Sequence, residues 1–343
     1  MISVFKNILN KIFSTEESIY FALIILLAFI FIILFGDALL PVIISLVIAF
    51  LLNGLVNYFQ TFNLSSGLSI IIALFIFFAI YISLFLALPS IGGQINSLLQ
   101  SLPTIVTTFQ ETLSNYFSEE QLEALFANVS NQINSLLSSV LGQIAGTISL
   151  MFNAIIYALL IPLMVVFFIK DKKVLLPMLT SFLPRNHGLM ETVLREMNNQ
   201  LFNYVTGKFI EMIIVATSSY FLFAILGLPY AILISILVGL SVIIPIFGAI
   251  LVTIPVVLLG LYEWGLSENF YWLVGLYLVI QILDGNLLVP ILFSSRNNLH
   301  PVIIIISVLF FGGIWGFWGL FFAIPLATFI KAIINSWPTN EQA

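Results

Sequence analysis

Apolar runs near the length of a membrane-crossing helix alternate along this chain with short polar interruptions. Crossing the hydrocarbon of a bilayer takes about 20 apolar residues in a helix. Ile19–Phe35 and Ala38–Leu52 are the first two runs, and Gly36–Asp37 between them reads as a tight turn that makes them a hairpin. Asn53–Gly67 is polar enough for a loop. Leu68–Leu88 is the third run, which Pro89 is expected to close. Thr147–Ile169 is the fourth, interrupted by Pro162, and Lys170-Asp171-Lys172-Lys173 ends it. Phe209–Leu226 is the fifth, ended by Gly227-Leu228-Pro229.

The last third is irregular. Tyr230–Tyr262 is broken at Ser241, Pro245, Gly248 and Pro255, and Pro301–Lys331 is broken by the run Gly312, Gly313, Gly316 and Gly319. Each is too long for one span and short for two, so each reads as a re-entrant hairpin or as two tightly packed short spans. Phe270–Phe293 lies between them and carries Asp284-Gly285-Asn286. Two broken units entering from opposite faces would form an inverted pair, a recurrent feature of secondary transporters.

Between the third and fourth runs the period changes. Ile91, Ile95, Leu98, Leu102, Ile105, Phe109, Leu113 and Tyr116 recur at helical spacing, as do Leu122, Leu125, Val129, Ile133, Leu136 and Val140. Ser118-Glu119-Glu120-Gln121 between them has the form of a capping box. The segment is expected to form two amphipathic helices outside the membrane core, packing against the protein's own spans or against other subunits.

Composition supports this reading. The chain has 343 residues, 61% hydrophobic and 7% charged, against about a quarter charged in ordinary soluble proteins. Ten Lys and Arg residues cannot make a nucleic-acid footprint. With no Cys and only His187 and His300, thiolate chemistry and a His-rich metal site are excluded. No cofactor is expected. The distribution of charge sets the sidedness. Lys6 and Lys11 precede the first run, which is longer than a signal core and is read as retained. The 89–146 segment carries Glu111, Glu119, Glu120 and Glu123 but no Lys or Arg, whereas 170–208 carries Lys170, Lys172, Lys173, Arg185, Arg195 and Lys208. The positive-inside rule then puts both termini and 170–208 in the cytoplasm and 89–146 outside.

The expectation is an all-α, polytopic transmembrane helix bundle of about eight hydrophobic segments, two of them broken or re-entrant hairpins. In chain order it comprises a cytoplasmic N-terminus (1–18), three spans (19–88), the extracytoplasmic amphipathic helices (89–146) and the fourth span (147–169). A cytoplasmic helical segment (170–208), a C-terminal transport core with broken helices (209–331) and a cytoplasmic tail (332–343) follow.

Candidate chemistry is sparse. Asp284 stands in an apolar run, where a carboxylate costs about 2.5–3.5 kcal/mol on insertion scales. It is therefore a candidate binding or coupling group, with Asn286 beside it; an ordinary Asp-Gly turn is the alternative. Glu211 follows Lys208 by three residues, a spacing that allows a helical ion pair, and Asn203 precedes them. Pro245, Gly248, Pro255, Gly312, Gly313, Gly316 and Gly319 are the candidate gating positions, because breaks in a membrane helix free backbone groups that only protein or a wet cavity can satisfy. Close helix packing is the competing explanation. No G-x-x-x-x-G-K-[ST], H-E-x-x-H or G-x-S-x-G is present, so neither ATP-driven transport nor an enzymatic activity is expected.

The C-terminal strings carry a resemblance. Gly227-Leu228-Pro229-Tyr230, Val242-Ile243-Ile244-Pro245-Ile246-Phe247-Gly248 and Asp284-Gly285-Asn286-Leu287-Leu288-Val289-Pro290 resemble the AI-2 exporter (AI-2E) family, and Asn298-Leu299-His300-Pro301 begins a stretch closer to one of its branches. The run from Gly312 to Gly319, followed by Ala323-Ile324-Pro325-Leu326-Ala327-Thr328, is similar to its PerM-like permease branch. The resemblance implies a multi-pass protein of the bacterial inner membrane that exports a small polar solute, autoinducer-2 in some relatives. It also implies assembly as a homo-oligomer, a pentamer being one form. Sodium/proton antiport is the second activity the resemblance implies. A non-transporting oligomeric scaffold, for which the 91–144 helices would be the partner surface, and a passive channel formed by an oligomer are further alternatives.

Overall fold

The computed structural model describes residues 16–114, 147–180, 188–245, 247–293 and 299–336, with short pieces between 118 and 139. Among the described residues the fold is all-α, with no strand. The helices are α1 (Glu16–Thr61), α2 (Ser66–Ser114), α3 (Thr147–Lys170), α4 (Lys172–Thr180), α5 (Gly188–Leu226), α6 (Ala231–Ser241), α7 (Phe247–Trp264), α8 (Glu268–Leu283), α9 (Val289–Phe293) and α10 (Pro301–Ser336). A π-helical turn, Asp284–Leu288, joins α8 to α9.

Five of these helices (α1, α2, α5, α7 and α10), and α8 with its π-helical turn and α9 taken together, contain a stretch long and apolar enough to cross a membrane. Residues Ala154–Lys170 and Lys172–Met178, bent by 82° between them, qualify together as a seventh. Ile19–Ile32 and Ala231–Ser241 are shorter apolar helices. Outward-facing side chains such as Phe75 (74% exposed) and Ile225 (81% exposed) would be costly in water and are at home against lipid. This is a multi-pass membrane protein.

Several boundaries differ from the sequence expectation. Gly36–Asp37 is not a hairpin turn, because α1 runs through it as one 46-residue helix. A glycine in a helix costs only about 1 kcal/mol, which a lipid environment that demands internal hydrogen bonds outweighs. The loop expected at Asn53–Gly67 shrinks to a short turn before Ser66, with Asn63 in the left-handed region at φ 60°. Pro89 does not close the third span, since α2 carries both Pro89 and Pro103 in its interior. The described part of the first amphipathic helix, 91–114, is thus a continuation of that span. The capping box lies largely outside the described residues, as does most of the second amphipathic helix. Likewise, the 188–208 part of the expected cytoplasmic segment and the fifth span share one helix, α5, while 172–180 forms α4.

The chain divides into two compact units that cut across its linear order. One comprises 1–80, 154–206 and 296–343, and the other 81–153 and 207–295. In the first, Ser45 hydroxyl donates to Pro41 O and lies 3.2 Å from Ile161 O, tying α1 to α3. Phe21, Val193 and Ala332 form a small buried cluster there. In the second, Ile105, Val215, Phe223, Ile234, Val238, Val256, Leu259, Leu273 and Tyr277 form one core. Leu98 and Leu102 pack against it, so the apolar face of the 91–114 stretch covers the protein's own helices. Gln94 Oε1 accepts the Leu233 N–H at 3.0 Å, occupying a donor in the first turn of α6.

Candidate functional site

Both broken units fold back at a glycine. In the 230–262 unit the described break runs from Val242 to Pro245. A Cβ added to Gly248 would run into the Ser241 carbonyl oxygen. In a continuous helix residues seven apart are about 10.5 Å apart along the axis, so the chain has doubled back and Gly248 is the point of closest approach. Pro255 is not a break; it lies inside α7. In the 301–331 unit the break is Gly316, at φ 56° and ψ −132°, a conformation only glycine adopts readily. Gly319 is pressed against the Phe311 carbonyl, and Gly312 against the Leu320 side chain. Gly313 is open and meets nothing. Of the gating candidates, Gly248, Gly312 and Gly319 are therefore close-packing glycines, and Pro245 and Gly316 mark the turns themselves.

The first hairpin ends on a charge. Gly239 lets α6 approach α5 closely, because a Cβ there would lie 2.8 Å from Met212 O. Lys208 on α5 donates to Val242 O at 2.8 Å. Val242 caps the C-terminus of α6, where the helix dipole favours a cation. The same ammonium donates to Glu211 Oε1 at 3.1 Å and lies 2.8 Å from Oε2. Both side chains are buried. Gly207 admits the Phe293 ring, which lies 5.3 Å from the Lys208 ammonium, a cation–π distance. The ion pair expected from spacing is present. However, Lys208 is not the loop cation it was counted as in assigning sidedness.

Asp284 completes the cluster. It is the first residue of the π-helical turn, in which Val289 N–H bonds to Asp284 O, and not an ordinary Asp-Gly turn. Such turns occur often at functional sites. Asp284 interacts electrostatically with both Lys208 and Glu211, and its buried Oδ1 has no hydrogen-bond partner among the described residues. Two carboxylates therefore act on one buried ammonium, Glu211 in direct contact and Asp284 at longer range. With all three ionised the cluster carries one surplus negative charge, an arrangement that suits uptake of a proton or a small cation. Asn286 is exposed and donates to Ile282 O at 2.9 Å, within its own helix. Asn203 is exposed on α5. Neither joins the cluster. No group of three or more potential metal-ligating His, Asp or Glu residues occurs among the described residues.

The other unit holds a cavity of about 880 Å³ between α1, α5 and α10. Phe50, Asn198, Trp315, Trp318 and Phe322 are among its lining residues. Trp315 and Trp318 flank the Gly316 turn, so the second hairpin presents its aromatic residues to this space.

Comparison with known proteins agrees with the architecture. The AI-2E family transporter model matches residues 19–339. PerM of Escherichia coli (strain K12), provisionally named a permease, is 47% identical over 187 residues, covering 54% of this chain and 53% of PerM. YueF of Bacillus subtilis (strain 168), provisionally named a transport protein, is 29% identical over 175 residues, 50% of this chain and 46% of YueF. A Thermotoga maritima protein with the same provisional description is 31% identical over 137 residues, 40% of each chain. The chain matches about half the length of these curated relatives or less. With the family model spanning nearly the whole sequence, this chain belongs to the AI-2E transporter family.

Proposed function

We propose that the protein is a secondary transporter that exports a small polar solute across the bacterial inner membrane, with ion coupling at Lys208, Glu211 and Asp284. The observation that carries this reading is the buried cluster, in which Lys208 closes the broken end of α6 while two carboxylates compete for its charge. Neutralising one carboxylate changes what holds the hairpin, and so links ion binding to a movable backbone element. The charge distribution supports cytoplasmic termini and an external acidic segment. Family resemblance supports the export of a signal-like solute and assembly with copies of itself.

Sodium/proton antiport is a second reading, favoured by the surplus carboxylate. Reconstituted vesicles holding an acid interior decide between the two. Loss of the pH gradient on adding sodium, abolished by Asp284→Asn, supports antiport. Retention of the gradient, together with an Asp284-dependent solute difference between cells and medium, supports solute export. Neither response in the intact chain would overturn both readings and favour a scaffold.

A further inference from the structure

A row of buried polar atoms without partners leads away from the charged cluster into the core of the second unit. On α8, Tyr277, Gln281 and Asp284 recur at i, i+4 and i+7, the spacing of one helix face. The Tyr277 hydroxyl, Gln281 Nε2 and Asp284 Oδ1 are each buried without a hydrogen-bond partner. Thr253 on α7 and Gln281 interact with the Tyr277 hydroxyl without meeting it in a hydrogen bond. On α5, Glu211, Val215, Ser219 and Phe223 form a second row at four-residue steps, and the Phe223 and Tyr277 rings lie 6.1 Å apart. Ser219 Oγ is also buried and unpartnered.

Ser219 stands out among its peers. The buried hydroxyls of Ser45, Ser69, Ser235, Ser307 and Thr328 each donate to a carbonyl within three or four residues. This is how Ser and Thr ordinarily satisfy themselves in apolar helices. An unpartnered polar group in a membrane interior is costly. Four of them lined up toward a charged cluster point to a common partner, and water is the group small enough to bridge them. The row stops at Leu273 and Phe270, the next buried residues on the same face of α8. From Asp284 to Tyr277 it runs about 10 Å along the helix.

We propose that Ser219, Tyr277, Gln281 and Asp284 line a hydrated pocket that opens off the Lys208–Glu211–Asp284 cluster and keeps water beside it, closed at its inner end by Leu273 and Phe270. It deepens the coupling role proposed above, because a cluster that exchanges protons needs water beside it. Its test needs no transported solute, so its failure is separable from that of the transport reading. The chain has no cysteine, which allows Ser219→Cys, Thr253→Cys and Val238→Cys to be probed one at a time. Each is treated in native membranes with a small permeant methanethiosulfonate, which reacts with thiolate and hence with hydrated thiols. Ser219 and Val238 are both fully buried, so a dry core predicts equal protection. The expected result is labelling at Ser219→Cys and Thr253→Cys at least about tenfold faster than at Val238→Cys. Equal, slow labelling at all three overturns the proposal. Hydroxyl-radical footprinting of the unsubstituted protein guards against misfolded variants. Oxidation of Tyr277 well above that of the neighbouring Phe223 supports the pocket, and equal protection of both rings contradicts it.

Discussion

The Lys208 ammonium donates to the main-chain oxygen of Val242 at 2.8 Å, so a cation on α5 closes the broken end of α6. That bond gives the freed carbonyl of an interrupted membrane helix a charged donor from α5. Its ion partner Glu211 is three residues along the same helix and equally buried.

Removing one partner of this pair should be costly. A buried charge left without its counterion typically destabilises by about 3–5 kcal/mol. Lys208→Met is therefore expected to lower the thermal unfolding midpoint in detergent markedly. The double variant Lys208→Met/Glu211→Leu should recover much of that loss, because an apolar pair of similar volume is often neutral. Equal loss in single and double variants would show that Val242, rather than Glu211, sets the stability of the site.

The two hairpins should share a sensitivity at their close-packing glycines. Gly248→Ala and Gly319→Ala would each drive a methyl into a backbone carbonyl, of Ser241 and Phe311 respectively. Both are expected to reduce folded protein in the membrane severely. Gly275→Ala and Gly285→Ala meet nothing within 4 Å and are expected to be tolerated. Quantifying monodisperse protein after extraction compares the four variants directly.

Gln94 should prove to be a structural residue of α2. Its Oε1 accepts the Leu233 N–H in the first turn of α6. Gln94→Ala is expected to cost about 0.5–2 kcal/mol, the range for losing a helix N-terminal acceptor. Gln100→Ala is the control, because Gln100 is exposed and bonds only to Asn96, also on α2. Thermal melts of the two variants should separate accordingly.

Much of the architecture is legible in the sequence, because hydropathy reports lipid contact directly. Helix ends are less so. Pro41, Pro89, Pro103, Pro162, Pro255 and Pro325 all lie inside helices, while Pro245 sits in a break. A proline removes one hydrogen bond, but in an apolar environment the rest of the helix has no better alternative. Whether the chain folds back then depends on a close approach such as that of Gly248 to Ser241, which is a tertiary matter. Asp284 is visible as a lone carboxylate in an apolar run, yet its π-helical turn has no residue signature. Glu211 and Lys208 are visible as a spaced pair. The burial of Lys208 is not, because Val242, its main-chain partner, is 34 residues away.

Asp284 and Asn286 should behave oppositely despite lying two residues apart. Asn286 is exposed, and its amide is occupied within its own helix. Asn286→Ala is therefore expected to leave transport within about twofold of the unsubstituted protein. Asp284→Asn keeps the shape of the side chain and removes the surplus charge of the cluster, and is expected to abolish ion-coupled transport while leaving the amount of folded protein unchanged.

The coupling role of the cluster is tested most directly by profiling small solutes inside and outside cells. One strain carries the intact chain and the other Asp284→Asn, at matched levels in the membrane. The account predicts at least one polar solute retained inside the Asp284→Asn cells and depleted from their medium. Identical profiles, from strains in which the intact chain itself shifts a solute relative to cells lacking it, would contradict the assignment of Asp284 to the transport step.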